Sequence, residues 1–177
     1  MTLAASFTGT ETTIRVFEAV SVVLYLAALV WVIKLRRPLY LGAFVGATLV
    51  WAYDWAYTTN GFFHATFNEH LVPIPGTDNQ GVFEPLAIPM NYALGFALPA
   101  ILWARNDAAL RRRFGAWRHL LILAAGAVGV GIYEIPVVHV LGIWTYHQRP
   151  EFMVLGFPWS NFWFAAGLLG GSAILLA

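Results

Sequence analysis

The chain reads as an all-α, polytopic transmembrane helical bundle of about five helices, and three observations predict it. Hydrophobic residues make up 59% of its 177 residues and charged residues 11%, against about 45–50% and about 25% in soluble domains. Mean hydropathy is +0.67. Near-continuous apolar runs occupy about 17–34, 39–57, 84–104, 119–143 and 153–177, each close to the roughly 20 residues a spanning helix needs. These runs are too long and too uniform for barrel strands, which alternate over about ten residues. Residues 1–177 form a single transmembrane domain on this reading.

Residues 1–13 are a short polar lead, with no basic region ahead of an apolar core and so no cleaved signal peptide. Lys34, Arg36 and Arg37 follow the first run. Arg105, Arg111, Arg112, Arg113 and Arg118 fill the connection between the third and fourth, so eight of the ten basic residues lie on one side. The positive-inside rule makes that side cytoplasmic and the N-terminus external. Outer loops then hold 58–83 and 144–152. Glu84, just ahead of Pro85, fits a helix start, where an acid and a proline are both favoured. The chain stops at Leu175, Leu176 and Ala177 without a polar flank, so a further C-terminal piece is expected.

Several classes are excluded or disfavoured. Cysteine is absent, which removes disulfides, thiolate catalysis and Cys-ligated metal or haem. A formal net charge of +1 gives no nucleic-acid footprint, and the Arg111–Arg113 cluster suits anionic lipid heads. His64 and His70 lie six apart and His139 and His147 eight apart, so none has the i, i+4 spacing of a helical zinc pair. No metal and no cofactor are expected. Nothing in the sequence specifies an oligomer.

Two acids stand inside the apolar runs, each preceded by tyrosine: Tyr53-Asp54 and Tyr133-Glu134. An ionisable group at membrane depth costs at least ~2.5 kcal/mol and marks function by default. Each pair is followed by glycine, Gly61 or Gly142, then aromatic residues, an outer loop and a returning helix. Prolines stand near the outer end of that helix, Pro85 and Pro89 or Pro158, with an amide just inside, Asn91 or Asn161. This is a weak parallel repeat of two helical hairpins, and it sets the two acids facing each other across the axis relating the repeats. We expect their carboxyls within about 10 Å of one another, since donor and acceptor must reach one reacting group.

On a helix Asp54 shares its face with Trp51, Tyr57 and Thr58. Pro136 denies the carbonyl of Ile132 its usual partner, and a proline kink there brings His139 round toward Glu134. Low-dielectric surroundings disfavour a charged carboxyl, which favours a neutral, proton-donating acid. The bland alternative is an acid reaching interfacial water or capping a neighbouring helix. Trp144, Tyr146 and Trp159 gather toward the same outer half. They serve either as an interfacial belt or as π-faces that steady a cation, by about 2 kcal/mol or more when desolvated.

Acid and aromatic groups in an apolar pocket suit carbocation chemistry on an isoprenoid-type substrate. Gly142, Trp144 and Tyr146, followed by Gly156 and Pro158, resemble the G-x-W-x-Y … G-x-P segment of membrane-type lycopene cyclases and related carotenoid-biosynthesis proteins. The likeness covers about 25 residues, and the placement of acids is similar to that of integral-membrane terpene cyclases. Where the lycopene cyclases carry an acidic pair, this chain has Trp159, Ser160 and Asn161. The resemblance implies a metal-independent cyclase or isomerase, with Asp54 and Glu134 catalytic. Trp51, Tyr57, Asn91, His139, Trp144, Tyr146, Trp159 and Asn161 would bind the substrate. A proton relay or transporter, or a non-catalytic lipid-binding subunit, would carry intramembrane acids equally well. An enclosed apolar pocket with both acids aimed into it separates the enzyme from these.

Overall fold

The computed structural model describes residues 11–50, 52, 65–67, 85–146, 153–154 and 157–177. Among them are six helices: α1 (Glu11–Lys34), α2 (Pro38–Leu49), α3 (Ala87–Arg105), α4 (Asp107–Phe114), α5 (Trp117–Leu141) and α6 (Ser160–Leu176). α1, α3 and α5 are long and apolar enough to cross a membrane, while α2 and α6 are apolar but shorter. All five apolar runs therefore carry a helix. The sixth, α4, was not foreseen: it is an eight-residue polar helix inside the basic connection, ended at Gly115.

The outward faces explain why these helices suit lipid. On α1, Val16, Val20, Val23, Leu24, Leu26, Val30 and Ile33 are at least half exposed. A helix that is apolar on all sides belongs in a protein core or a bilayer, and these side chains are not in the core. The inward stripe of α1 runs Ile14, Ser21, Ala28 and Val32, all buried, at spacings of seven and four that repeat on one helical face.

Helices α5 and α6 make the closest packing in the molecule. A Cβ on Gly126 would lie 2.7 Å from the Ala165 carbonyl oxygen, and one on Gly170 would lie 2.5 Å from Leu123 Cδ2. At Gly126, where the added atom would meet backbone, glycine lets the two helices approach as no other residue could, a common device between apolar helices. At the basic end, the Arg105 guanidinium lies 5.5 Å over the Trp31 ring, joining the ends of α3 and α1. Arg118 holds Asp107 at 2.7 Å and donates to the Gly115 carbonyl at 3.0 Å, which fastens α4 to the start of α5.

At the opposite end, four very short strands appear that an all-helical reading does not anticipate. β1 (Ala65–Phe67) pairs antiparallel with β2 (Trp144–Tyr146), with Thr66 opposite Thr145. β3 (Met153–Val154) pairs with β4 (Phe157–Pro158). The β1–β2 pair joins the loop after α2 to the loop after α5, the corresponding positions of the two hairpins in the sequence repeat.

Candidate functional site

Glu134 sits in the last turn of the regular part of α5 and is 7% exposed. Two features of the local sequence aim the following chain back at it. Pro136 lacks a backbone N–H, and from Val137 to Leu141 the helix widens to i→i−5 hydrogen bonding, as happens where an α-helical ladder is interrupted. Gly142 then adopts φ 59°, ψ 37°, a left-handed conformation that glycine takes without penalty and that commonly ends helices. Both its N–H and that of Ile143, at 3.1 Å, return to the Val137 carbonyl.

The chain leaves this turn as β2. Alternate residues of a strand point to the same side, so Trp144 and Tyr146 project together. Trp144 Nε1 donates to Glu134 Oε2 at 3.2 Å, and the Tyr146 hydroxyl lies 3.1 Å from Oε2 and 3.2 Å from Oε1. Asn161, in the first turn of α6, donates its Nδ2–H to the Tyr146 oxygen at 3.2 Å. The donors form one directed chain, from Asn161 to Tyr146 to Glu134, with Trp144 donating from the other side. These contacts are at the long end of hydrogen-bonding range, so burial and the turn at Gly142 position the carboxyl as much as the bonds do.

Apolar groups close the surroundings. Trp144 is buried with Ile14, Ile88, Val137 and Ile143, and its ring meets Phe17 at 6.4 Å and Tyr133 at 6.1 Å. Phe162 packs 3.4 Å from where a Gly131 Cβ would be, and stacks at 5.1 Å against the fully buried Phe157. Tyr92 packs against the Trp144 cluster and also lines a groove of about 210 Å³ between α2, α3 and α6, with Gly46, Ala47, Phe96, Leu168 and Ser172. That volume is below the roughly 300–1,000 Å³ of small-molecule sites. It suits a length of chain and not a whole ligand.

Comparison with known protein families, characterised proteins and solved structures finds no match to this chain.

Four residues singled out in the sequence come together here: Glu134, Trp144, Tyr146 and Asn161. Others do not join them. Asp54, Trp51 and Tyr57 lie outside the described residues, and so does the expected distance between the two acids. Asn91 is engaged elsewhere, its Nδ2 donating to Ser21 Oγ at 3.2 Å. The wide turn after Pro136 leaves His139 exposed, while Glu134 faces inward. Trp159 is 43% exposed. Trp144 and Tyr146 meet the carboxyl through their N–H and O–H, not through bare ring faces. Among the described residues, no group of three or more His, Cys, Asp or Glu is arranged to hold a metal.

Two buried residues escaped the sequence reading. Glu18 and Ser21 are 5% and 4% exposed, and with Glu134 they are the buried polar or charged residues among those described. The signal was present in the spacing: Ile14, Glu18, Ser21, Tyr25, Ala28 and Val32 fall on one face of α1, so its inward stripe carries two polar members.

Proposed function

We propose that the protein is an integral membrane enzyme that cyclises or isomerises an isoprenoid-type lipid by proton transfer at carboxyl groups, with Glu134 as the proton acceptor. The observation that carries this reading is the buried Glu134 carboxyl, receiving hydrogen bonds from Trp144 and Tyr146 among aromatic and aliphatic side chains. A carboxyl fixed as an acceptor in an apolar setting is suited to removing a proton from carbon beside a cation, which water would otherwise trap. Asp54 is the other catalytic carboxyl of the sequence reading, which leaves donor and acceptor unassigned between the two. Neighbouring rings can stabilise the intervening positive charge.

Tyr92 lines an apolar groove that can take a length of lipid chain, and it also packs against the cluster that contains Trp144. The segment Gly142–Tyr146 and Pro158 resembles membrane-type lycopene cyclases, which agrees with that substrate class. The clustering of basic residues at the far end supports an orientation with the Arg-rich 105–118 connection cytoplasmic and the N-terminus outside.

The test is a comparison of lipid extracts, by mass spectrometry, from cells with the protein, without it, and with Glu134→Gln. Isomeric lipids that depend on the protein and disappear with the amide support the reading. Identical extracts from all three overturn it.

A further inference from the structure

We propose that Glu18 is a further proton-transferring carboxyl near Glu134, taking the donor role for which the sequence alone offered Asp54; this rests on the proton-transfer reading above. Its position is defined from three sides. One turn toward the N-terminus, Ile14 packs in the buried cluster that contains Trp144. The adjacent residue, Phe17, meets the Trp144 ring edge-on at 6.4 Å. One turn in the other direction, Ser21 is bonded to Asn91 of α3 at 3.2 Å, and Ile88, one turn before Asn91, rejoins the Trp144 cluster.

Trp144 is thus the shared wall. Its N–H holds Glu134, while its ring touches α1 at the residue preceding Glu18. Four residues of helix rise about 6 Å, so Glu18 is one turn from a side chain that packs with the indole bonded to Glu134. Burying a second acid in an apolar helix, 5% exposed, is costly unless it is engaged. A reaction that both gives and takes a proton uses two such groups.

The step balances without a co-reactant. An O–H bond of the donor carboxyl breaks as a C–H bond forms at an alkene carbon of the lipid, leaving a carboxylate and a carbocation. A C–H bond beside the cation then breaks, its electron pair closing a new double bond, and its proton forms an O–H bond on the acceptor. Exchange with water between turnovers restores the donor's proton and removes the acceptor's, which resets the pair. No electron is gained or lost.

The experiment measures protein-dependent lipid product per folded molecule for wild type, Glu18→Gln, Glu18→Asp and Glu134→Gln, in membranes supplied with lipid extract from cells lacking the protein. The expected result is a loss of about 100-fold or more in Glu18→Gln, comparable to Glu134→Gln, with partial rescue by Glu18→Asp, which keeps the acid. A purely structural role predicts instead that product per folded molecule stays within about threefold of wild type, which overturns the inference while Glu134→Gln still reports on the underlying reaction. Should the amide fail to fold, wild-type protein treated with the membrane-soluble reagent dicyclohexylcarbodiimide decides: coupling at Glu18 with parallel loss of product supports the role, and full inhibition with Glu18 unmodified removes it. Absence of any protein-dependent product in wild type removes the proton-transfer reading itself, and this inference with it.

Discussion

Glu134 on α5 and Glu18 on α1 are buried to nearly the same degree, 7% and 5% exposed, yet the two regions around them are built differently. Glu134 is held by a turn. Pro136, the widened segment Val137–Leu141 and left-handed Gly142 fold the chain back so that Trp144 and Tyr146 donate to a residue ten and twelve positions earlier. Glu18 has no such local device. It is carried inward by helix register, and its neighbours on α1, Ile14, Phe17 and Ser21, pack against Trp144 and α3. A site made by a turn is local and depends on a few special residues, whereas one made by helix register depends on packing along the whole stripe.

The largest effect separating the regions is expected at Glu134 itself. Glu134→Gln keeps the volume but cannot accept a proton as a carboxyl does, and turnover should fall by about two orders of magnitude or more while the folded fraction, read by thermal unfolding in detergent, is little changed. Gly126→Leu comes next. Even a Cβ at Gly126 would meet the Ala165 carbonyl, so forcing α6 away from α5 should cost about 1–3 kcal/mol of stability. It should also move Asn161 off Tyr146 while leaving the Ser21–Asn91 pair intact; equal disturbance of both would show that the regions are not separable.

Tyr146→Phe removes the hydroxyl that links Asn161 to Glu134. A rate loss of about tenfold, roughly 1.4 kcal/mol, is expected. Phenylalanine should therefore recover little over leucine at this position, contrary to a role confined to the ring face. Ser21→Ala, beside Glu18, should lower the unfolding free energy by about 0.5–1.5 kcal/mol through the lost bond to Asn91. Trp159→Leu is the smallest: at an exposed position, stability should change within about 0.5 kcal/mol and turnover per folded molecule should hold. A large loss there would return Trp159 to the site.

Much of the α5 region was legible from sequence because its determinants are unusual residues in order: an acid in an apolar run, then Pro136, Gly142, Trp144, Tyr146 and Asn161. Each changes backbone or hydrogen bonding in a way local chemistry dictates. The five apolar helices were legible for the same reason, since length and apolarity are local, whereas the short polar α4 was not. What was missed depends on tertiary register. Glu18 was passed over although it stands inside the first apolar run, and only the packing of α1 shows that its face turns inward. The β1–β2 pair joins residues about eighty apart, and strands of three residues leave no periodic signature. Trp159 was expected at the site because aromatic residues gather toward the outer half of the chain, and the structure leaves it 43% exposed.

The account's central claim is that a proton from an enzyme carboxyl enters the lipid at carbon. Membranes containing the protein, incubated in D₂O with lipid extract from cells that lack it, test this most directly by mass spectrometry of the product. The account predicts that each molecule of isomerised or cyclised lipid gains one deuteron on carbon, and that Glu134→Gln forms no labelled product. Product that forms in D₂O without deuterium on carbon, or labelled product made equally well by Glu134→Gln, would contradict it.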